Sequence, residues 1–150
     1  MNQTLSVTAI ETGCVIDHIP PGSAIKMIAL LKLTHGTAPV TVGFNLASKR
    51  LGHKDIIKLE RRMLTEVERL QIGIFAPGAT VNEISGHKVI QKHQLVLPKQ
   101  VEQGFVCANS HCITNQERVK TKFRVLTENR RIYLQCHYCE QTFAQHLLEG

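Results

Sequence analysis

Leu5, Val7 and Ala9 alternate with Thr4, Ser6 and Thr8, the period-two pattern of a strand with one buried face. Pro20-Pro21-Gly22 then marks a turn, and Ser23 is the expected N-cap of a helix over residues 24–33 that stops near Gly36. Only Lys26 and Lys32 interrupt its apolar residues, so most of its circumference is expected to be buried. Val40, Val42, Phe44 and Leu46 alternate with Thr41, Gly43 and Asn45 in a second strand. A basic turn over 48–52 leads to a third strand over 54–59. Thr65 and Glu68 form a capping box, and Val67, Leu70 and Ile74 follow at helical spacing until Pro77-Gly78. Residues 79–84 and 88–91 read as a hairpin around Ser85-Gly86.

Strand, helix, strand, strand, helix, strand is the split βαβ plan. The expected fold class is α+β: an N-terminal ferredoxin-like sandwich of two helices on an antiparallel sheet, over residues 1–98. His93 to Gln103 reads as a linker, with Pro98 where the pattern changes. Residues 99–150 offer only short strands around Phe105, 123–126, 132–135 and 143–147, an antiparallel β domain with too few apolar residues for an independent core.

Four cysteines supply what that second domain lacks. Cys107-x4-Cys112, 23 further residues and Cys136-x2-Cys139 make two turn-borne pairs joined by a loop. Four thiolates complete a tetrahedron around Zn²⁺ and leave no open position for substrate or water, so the spacing predicts one structural zinc per chain. Two disulfides are the competing pairing in an oxidising compartment. The start, Met-Asn-Gln-Thr-Leu-Ser-Val, lacks a basic stretch followed by an apolar core and cleavage site, which favours metal and a cytoplasmic location. Cys14, in a Gly-Cys-Val-Ile context, reads as a small core residue or a spare thiol, not a fifth ligand.

Charge changes the picture modestly. The net charge is +6 and the hydrophobic fraction 43%, which suits a globular chain. Residues 1–98 carry eleven Lys/Arg against seven Asp/Glu, and residues 99–150 seven against five. Zinc on four thiolates brings the second part near neutrality, so the usable positive charge lies in the first. Met27 to Leu31 is the longest apolar run, far too short to span a bilayer. Nucleophile elbows, phosphate loops and dinucleotide fingerprints are missing from the sequence, so no catalytic set is expected.

Several positions suit an anionic ligand. Asp17-His18 sets an acceptor beside a titratable donor, though an Asp-capped turn explains the pair equally well. Lys54 and Lys58 are an even number apart on a strand and share a face. Phosphate binding and protection of a sheet edge both suit such lysines. Lys92 could join them.

The stretch Cys14-Val15-Ile16-Asp17-His18-Ile19-Pro20 resembles the Thr-Val-Ile-Asp-His-Ile-Pro of aspartate carbamoyltransferase regulatory chains. Gly43-Phe44-Asn45-Leu46, Gly52-His53-Lys54-Asp55-Ile56-Ile57-Lys58 and Phe75-Ala76-Pro77-Gly78-Ala79-Thr80-Val81-Asn82 are similar to that family's motifs. So are Cys107-Ala108-Asn109-Ser110-His111-Cys112 and Cys136-His137-Tyr138-Cys139-Glu140, and the likeness runs nearly end to end.

The resemblance implies a non-catalytic subunit of pyrimidine biosynthesis that binds CTP, UTP and ATP and regulates its enzyme allosterically. It implies a homodimer through the N-terminal domain. Three such dimers would bridge two catalytic trimers, each zinc domain docking on a catalytic chain. Carried over, the nucleotide-binding residues are Val7, Ala9, Ile10, Asp17, His18, Lys54, Lys58, Asn82, Ile84, Val89 and Lys92. Lys92 and His18 would meet phosphates, Asp17 and Lys58 ribose or base edges, and backbone near Ile10 and His87 the base. Thr8, His87, His111 and His137 depart from the pattern. The first two bear on nucleotide preference and the others on the catalytic-chain interface. A zinc-ribbon module binding nucleic acid is the alternative. It is weakened by the near-neutral second domain and by aromatic residues dispersed through strands. The expectation is therefore no nucleic-acid and no membrane partner.

Overall fold

The computed structural model describes residues 10–144. The alternation at Leu5, Val7 and Ala9 lies outside them, as do the last residues of the segment expected over 143–147.

Nine strands form two sheets among the described residues: β1 (Gly13–Ile19), β2 (Val40–Ser48), β3 (Gly52–Glu60), β4 (Thr80–Ser85) and β5 (Lys88–Gln94) in one, and β6 (Gln100–Glu102), β7 (Lys122–Glu128), β8 (Arg131–Cys136) and β9 (Thr142–Ala144) in the other. The first sheet runs β2-β3-β1-β4-β5 with every neighbour antiparallel. That order, with α1 (Ser23–Leu30) between β1 and β2 and α2 (Glu66–Gly73) between β3 and β4, is the expected split βαβ sandwich with β5 added at one edge. The fold is α+β. Ile16, Ile57, Leu59 and Val81 are buried on one face of the sheet, in a core shared with Ala24 and Met27 of α1 and Ile72 of α2.

β1 was not visible as alternation, because Cys14, Val15 and Ile16 are consecutive apolar residues. A bulge then breaks the period. Ile16 pairs with Ile57 and Ile19 with Asp55, so β1 spends one residue more than β3 over the same stretch. His18 absorbs it at φ 59°, and both isoleucines reach the core although they are three apart.

α1 corrects the sequence reading at both ends. Its N-cap is Gly22, not Ser23, and no neighbouring side chain caps it. The acceptor comes from β3 instead: the buried Asp55 carboxylate takes the Gly22 amide at 2.8 Å, the Ala24 amide at 3.4 Å and, from β2, the Asn45 amide at 3.0 Å. The helix ends at Leu30, short of residue 33. Lys32 adopts φ 52°, and Lys32 N–H donates to the Ala29 carbonyl and Leu33 N–H to that of Ile28, a Schellman closure without glycine. Nor is α1 buried all round, since Ile25 is 62% exposed.

In β2 the bulge between Gly43 and Leu46 moves Leu46 to the face opposite Val42, where it pairs with Lys54. Leu46 folds back over Gly43, and a Cβ there would sit 2.9 Å from its Cδ1, so a larger residue would have to displace the Leu46 side chain. The capping box of Thr65 and Glu68 is present at α2. Its inner face is Gln71 and Ile72, while Val67 and Leu70 stay largely exposed, so the helical spacing identified the element but not its buried side.

Strands enter both ends of the expected linker, β5 running to Gln94 and β6 occupying Gln100–Glu102, and residues 95–99 connect them. Phe105 ties the two sheets together, its ring 5.9 Å from that of Phe75 and 6.4 Å from that of Phe123. Beside it, Gln71 of α2 donates to the Glu102 carbonyl at 3.1 Å. Gly104, at φ 81°, leaves room for that amide, since a Cβ would lie 2.6 Å from Gln71 Nε2.

Candidate metal centre and nucleotide face

Cys107 and Cys112 lie before a single helical turn, α3 (Ile113–Gln116), which the sequence reading did not foresee. Cys136 ends β8, and Cys139 follows in the tight turn to β9, closed by Glu140 N–H donating to the Cys136 carbonyl. The four sulfurs lie within 4.8 Å of one another. Cys107–Cys139 and Cys112–Cys136 are each 3.7 Å apart. Disulfide sulfurs are about 2.05 Å apart, whereas a tetrahedral ion with bonds of about 2.3 Å sets its sulfurs about 3.8 Å apart. All five cysteines are free, so the disulfide alternative fails and the donor set fits zinc. His111 and His137 are not part of this cluster.

The loop around the first pair is locked by side chains. Asn115 Nδ2 donates to the carbonyls of Cys107 (2.9 Å) and Asn109 (2.8 Å), and Asn109 Oδ1 accepts the His111 amide at 3.0 Å. The Thr114 hydroxyl donates to Cys112 Sγ at 3.2 Å. Burial pushes the Cys107 and Cys136 thiols up. Burial acts the same way on Cys112, but the Thr114 hydroxyl and amide and the neighbouring thiols outweigh it and bring that thiol down to about 7. Four thiolates cannot share so small a space without a cation. A dication reverses the balance and holds all of them deprotonated.

The other constellation is on the sheet face away from the helices. Backbone pairing aligns Lys58 of β3, Val15 of β1, Asn82 of β4 and Lys92 of β5 in one cross-strand row. Directly paired residues share a face, so this row spans roughly 15 Å at about 4.8 Å per strand. Lys54 stands two pleats from Lys58, with Nζ 2.9 Å from Asp17 Oδ1. Ile84 pairs with Val89, while Asn82 pairs with Lys92, so a bulge brings Val89 and Lys92 to the same face despite their odd spacing. His18 Nδ1 lies 3.3 Å from Thr80 Oγ1. The His87 amide donates to the Glu11 carbonyl at 3.0 Å, which brings the β4–β5 turn against the backbone next to buried Ile10. Asp17, Lys54, Lys58, Asn82, Ile84, Val89 and Lys92 therefore gather on one face, with His18 at its edge. Val7 and Ala9 lie outside the described residues.

Lys58 is only 4% exposed, and desolvation lowers its pKa while nearby Glu60 acts in the other direction. A cation held in this way favours an anionic ligand over water. Sequence reasoning did not single out Val15, Thr80, Thr114 or Asn115. Val15 and Thr80 lie within the quoted motifs, but only strand register or loop closure shows where the four stand.

The family model for the aspartate carbamoyltransferase regulatory chain, allosteric domain, matches residues 5–96, and that for its metal binding domain matches residues 99–149. The chain belongs to the aspartate carbamoyltransferase regulatory chain family. A regulatory chain from Chromobacterium violaceum is 45% identical over 148 residues, covering 99% of this chain and 97% of the relative. Those from Tolumonas auensis and Aeromonas hydrophila subsp. hydrophila are each 45% identical over 144 residues, covering 96% of this chain and 94% of the relative. The regulatory chain is thus a non-catalytic subunit whose partner is the catalytic chain of aspartate carbamoyltransferase. The zinc-ribbon alternative loses its footing as well, since Phe105 and Phe123 are buried and unable to stack on bases. No described helix is long and apolar enough to cross a membrane.

Proposed function

We propose that residues 1–98 form an allosteric domain binding CTP, UTP and ATP competitively, and that residues 99–150 form a domain built on one zinc ion. The row from Lys58 through Val15 and Asn82 to Lys92 is the main support: two ammonium groups flank an amide and an apolar residue. Such a strip suits a ligand with phosphates at one end and a planar base. Lys92 and His18 meet phosphates, Asp17, Lys54 and Lys58 the ribose and its surroundings, and backbone beside Ile10 and His87 the base. Val7 and Ala9 complete the site in this reading, with Ile84 and Val89 as its apolar wall.

Cys107, Cys112, Cys136 and Cys139 hold the zinc, which supplies folding energy and no chemistry. β2 is an edge strand, and with Phe44 44% exposed and Ile25 of α1 on the surface it suits a homodimer contact. Three such dimers bridge two catalytic trimers in this reading, with the zinc domain against the catalytic chain. Free thiols suit a reducing cytoplasm. The test is aspartate saturation of the reconstituted assembly with and without each triphosphate. Distinct curves support a regulator. Identical curves with confirmed binding and assembly leave only a scaffold.

A further inference from the structure

A cleft of about 330 Å³ opens where the two sheets meet. One wall is α1 and its C-terminal turn, with Lys26, Ala29, Leu30 and Lys32. Phe75 and Phe105 form the other side, together with Gly104 and Val106. Neither phenylalanine is free to swing away, since their rings pack on each other and Phe105 also packs on Phe123. The Gln71 amide, bonded to the Glu102 carbonyl, backs Gly104 and fixes that wall.

Charge is one-sided. Two lysines line the cleft and no acid does. Lys26 Nζ stands 5.7 Å from the centre of the Phe75 ring, so an ammonium is held directly over the aromatic surface. Lys32, in the Schellman turn, adds a second cation to the lining. Among the described residues neither lysine has an ion-pair partner. Apolar walls with convergent polar groups at one side are the ordinary composition of a small-molecule site, and the volume is large enough for one ring and a short tail.

We propose that this cleft binds a small amphipathic carboxylate, with its aromatic or branched apolar body against Ala29, Leu30 and the half-exposed Val106, over a floor of buried Phe75 and Phe105, and its carboxylate between Lys26 and Lys32. It is separate from the nucleotide face, which lies on the far side of the sheet from the helices. Its occupant touches both halves of the chain.

The zinc-loaded full chain, labelled with ¹⁵N, is titrated with 3-phenylpropionate while amide shifts are followed. The expected result is saturable shifts at Ala29, Gly104 and Val106 with half-saturation on the order of 1 mM, as suits so small a ligand. The neutral 3-phenylpropanol should bind about 10-fold more weakly, the loss expected when a charge-assisted contact goes. Lys26→Gln with Lys32→Gln should bring the acid down to the alcohol's level while leaving the remaining amide spectrum in place. If that variant fails to fold, the acid and alcohol on the unaltered chain decide alone. No saturation by about 20 mM, equal binding of acid and alcohol, shifts centred elsewhere, or equally tight binding of inorganic phosphate would each overturn the proposal.

Discussion

The carboxylate of Asp55, on the strand β3, caps the amide of Gly22, 33 residues earlier, at 2.8 Å. It is completely buried and also serves Ala24 and Asn45, so one anion joins the start of α1, the bulge of β2 and the strand that carries Lys54 and Lys58. Hydrogen bonds to a charged group are worth about 1.5–3 kcal/mol, and leaving donors unsatisfied adds to the loss. Asp55→Ala should therefore lower unfolding stability by about 3 kcal/mol in urea melts, and Asp55→Asn by somewhat less. A change below about 0.5 kcal/mol for both would show that water replaces the carboxylate.

Metal removal should act on the second sheet first. Cys136→Ser leaves three thiolates, and a chelator leaves none. In both cases the zinc content should fall below one per chain and amides of β7 to β9 should lose dispersion, because structural zinc contributes on the order of 10–16 kcal/mol to folding of such small units. The first sheet should keep its signals, apart from those near Phe75, which loses the cover of Phe105. Native near-ultraviolet signals from a zinc-free chain would refute this.

Lys58 gives a pH test. Burial depresses its pKa in the fold, so the native state binds fewer protons than the unfolded state between that value and about 10.4. Stability consequently rises with pH through that window, and the cost of the buried ammonium is fully present below it. Lys58→Met should stabilise the nucleotide-free chain by on the order of 1 kcal/mol at neutral pH. Its advantage should vanish above about pH 10.4. The same substitution should weaken triphosphate binding, measured by calorimetry. A constant difference across pH would assign the effect to packing alone.

Lys92 and His87 should separate affinity from preference. Lys92→Ala is expected to weaken CTP, UTP and ATP alike, by about 10-fold, as loss of one phosphate contact does. His87→Ala should instead change the ratio of purine to pyrimidine affinity. Calorimetry on all three nucleotides distinguishes the two patterns, and a base-selective effect of Lys92→Ala would misplace the phosphates.

At the β2 edge, Phe44→Lys should shift the full chain from dimer to monomer in sedimentation at tens of micromolar concentration. Charged side chains at an edge oppose pairing between copies. An unchanged dimer would move the contact off β2.

The cysteine spacing, the capping box of Thr65 and Glu68 and the strand–helix order were legible because each is a local pattern. The bulges were not. Ile16 and Ile19, or Val89 and Lys92, share a face only because a partner strand is one residue shorter over the same distance, and that count belongs to two segments at once. The cap of α1 was hidden for the same reason, since its acceptor, Asp55, is remote in sequence. Even spacing correctly put Lys54 and Lys58 on one face. Nothing in the sequence alone placed Val15 between Lys58 and Asn82, because cross-strand register is fixed by the whole sheet. Val67 and Leu70 misled, since their spacing suits burial against a domain core although much of their surface remains in water.

The seam through Gln71, Gly104 and the tilted and edge-on rings of Phe75, Phe105 and Phe123 means that the two halves are not interchangeable cassettes. A graft that replaced everything after residue 98 with the corresponding piece of a relative would set the donor's residue at 105 against Phe75 and, unless it also carried glycine at 104, drive a side chain into Gln71. Chimeras cut at the apparent linker whose donor lacks glycine at 104 or phenylalanine at 105 should therefore misassemble even with all four cysteines in place. Those that carry α2 and Phe75 along with the donor's second half should fold.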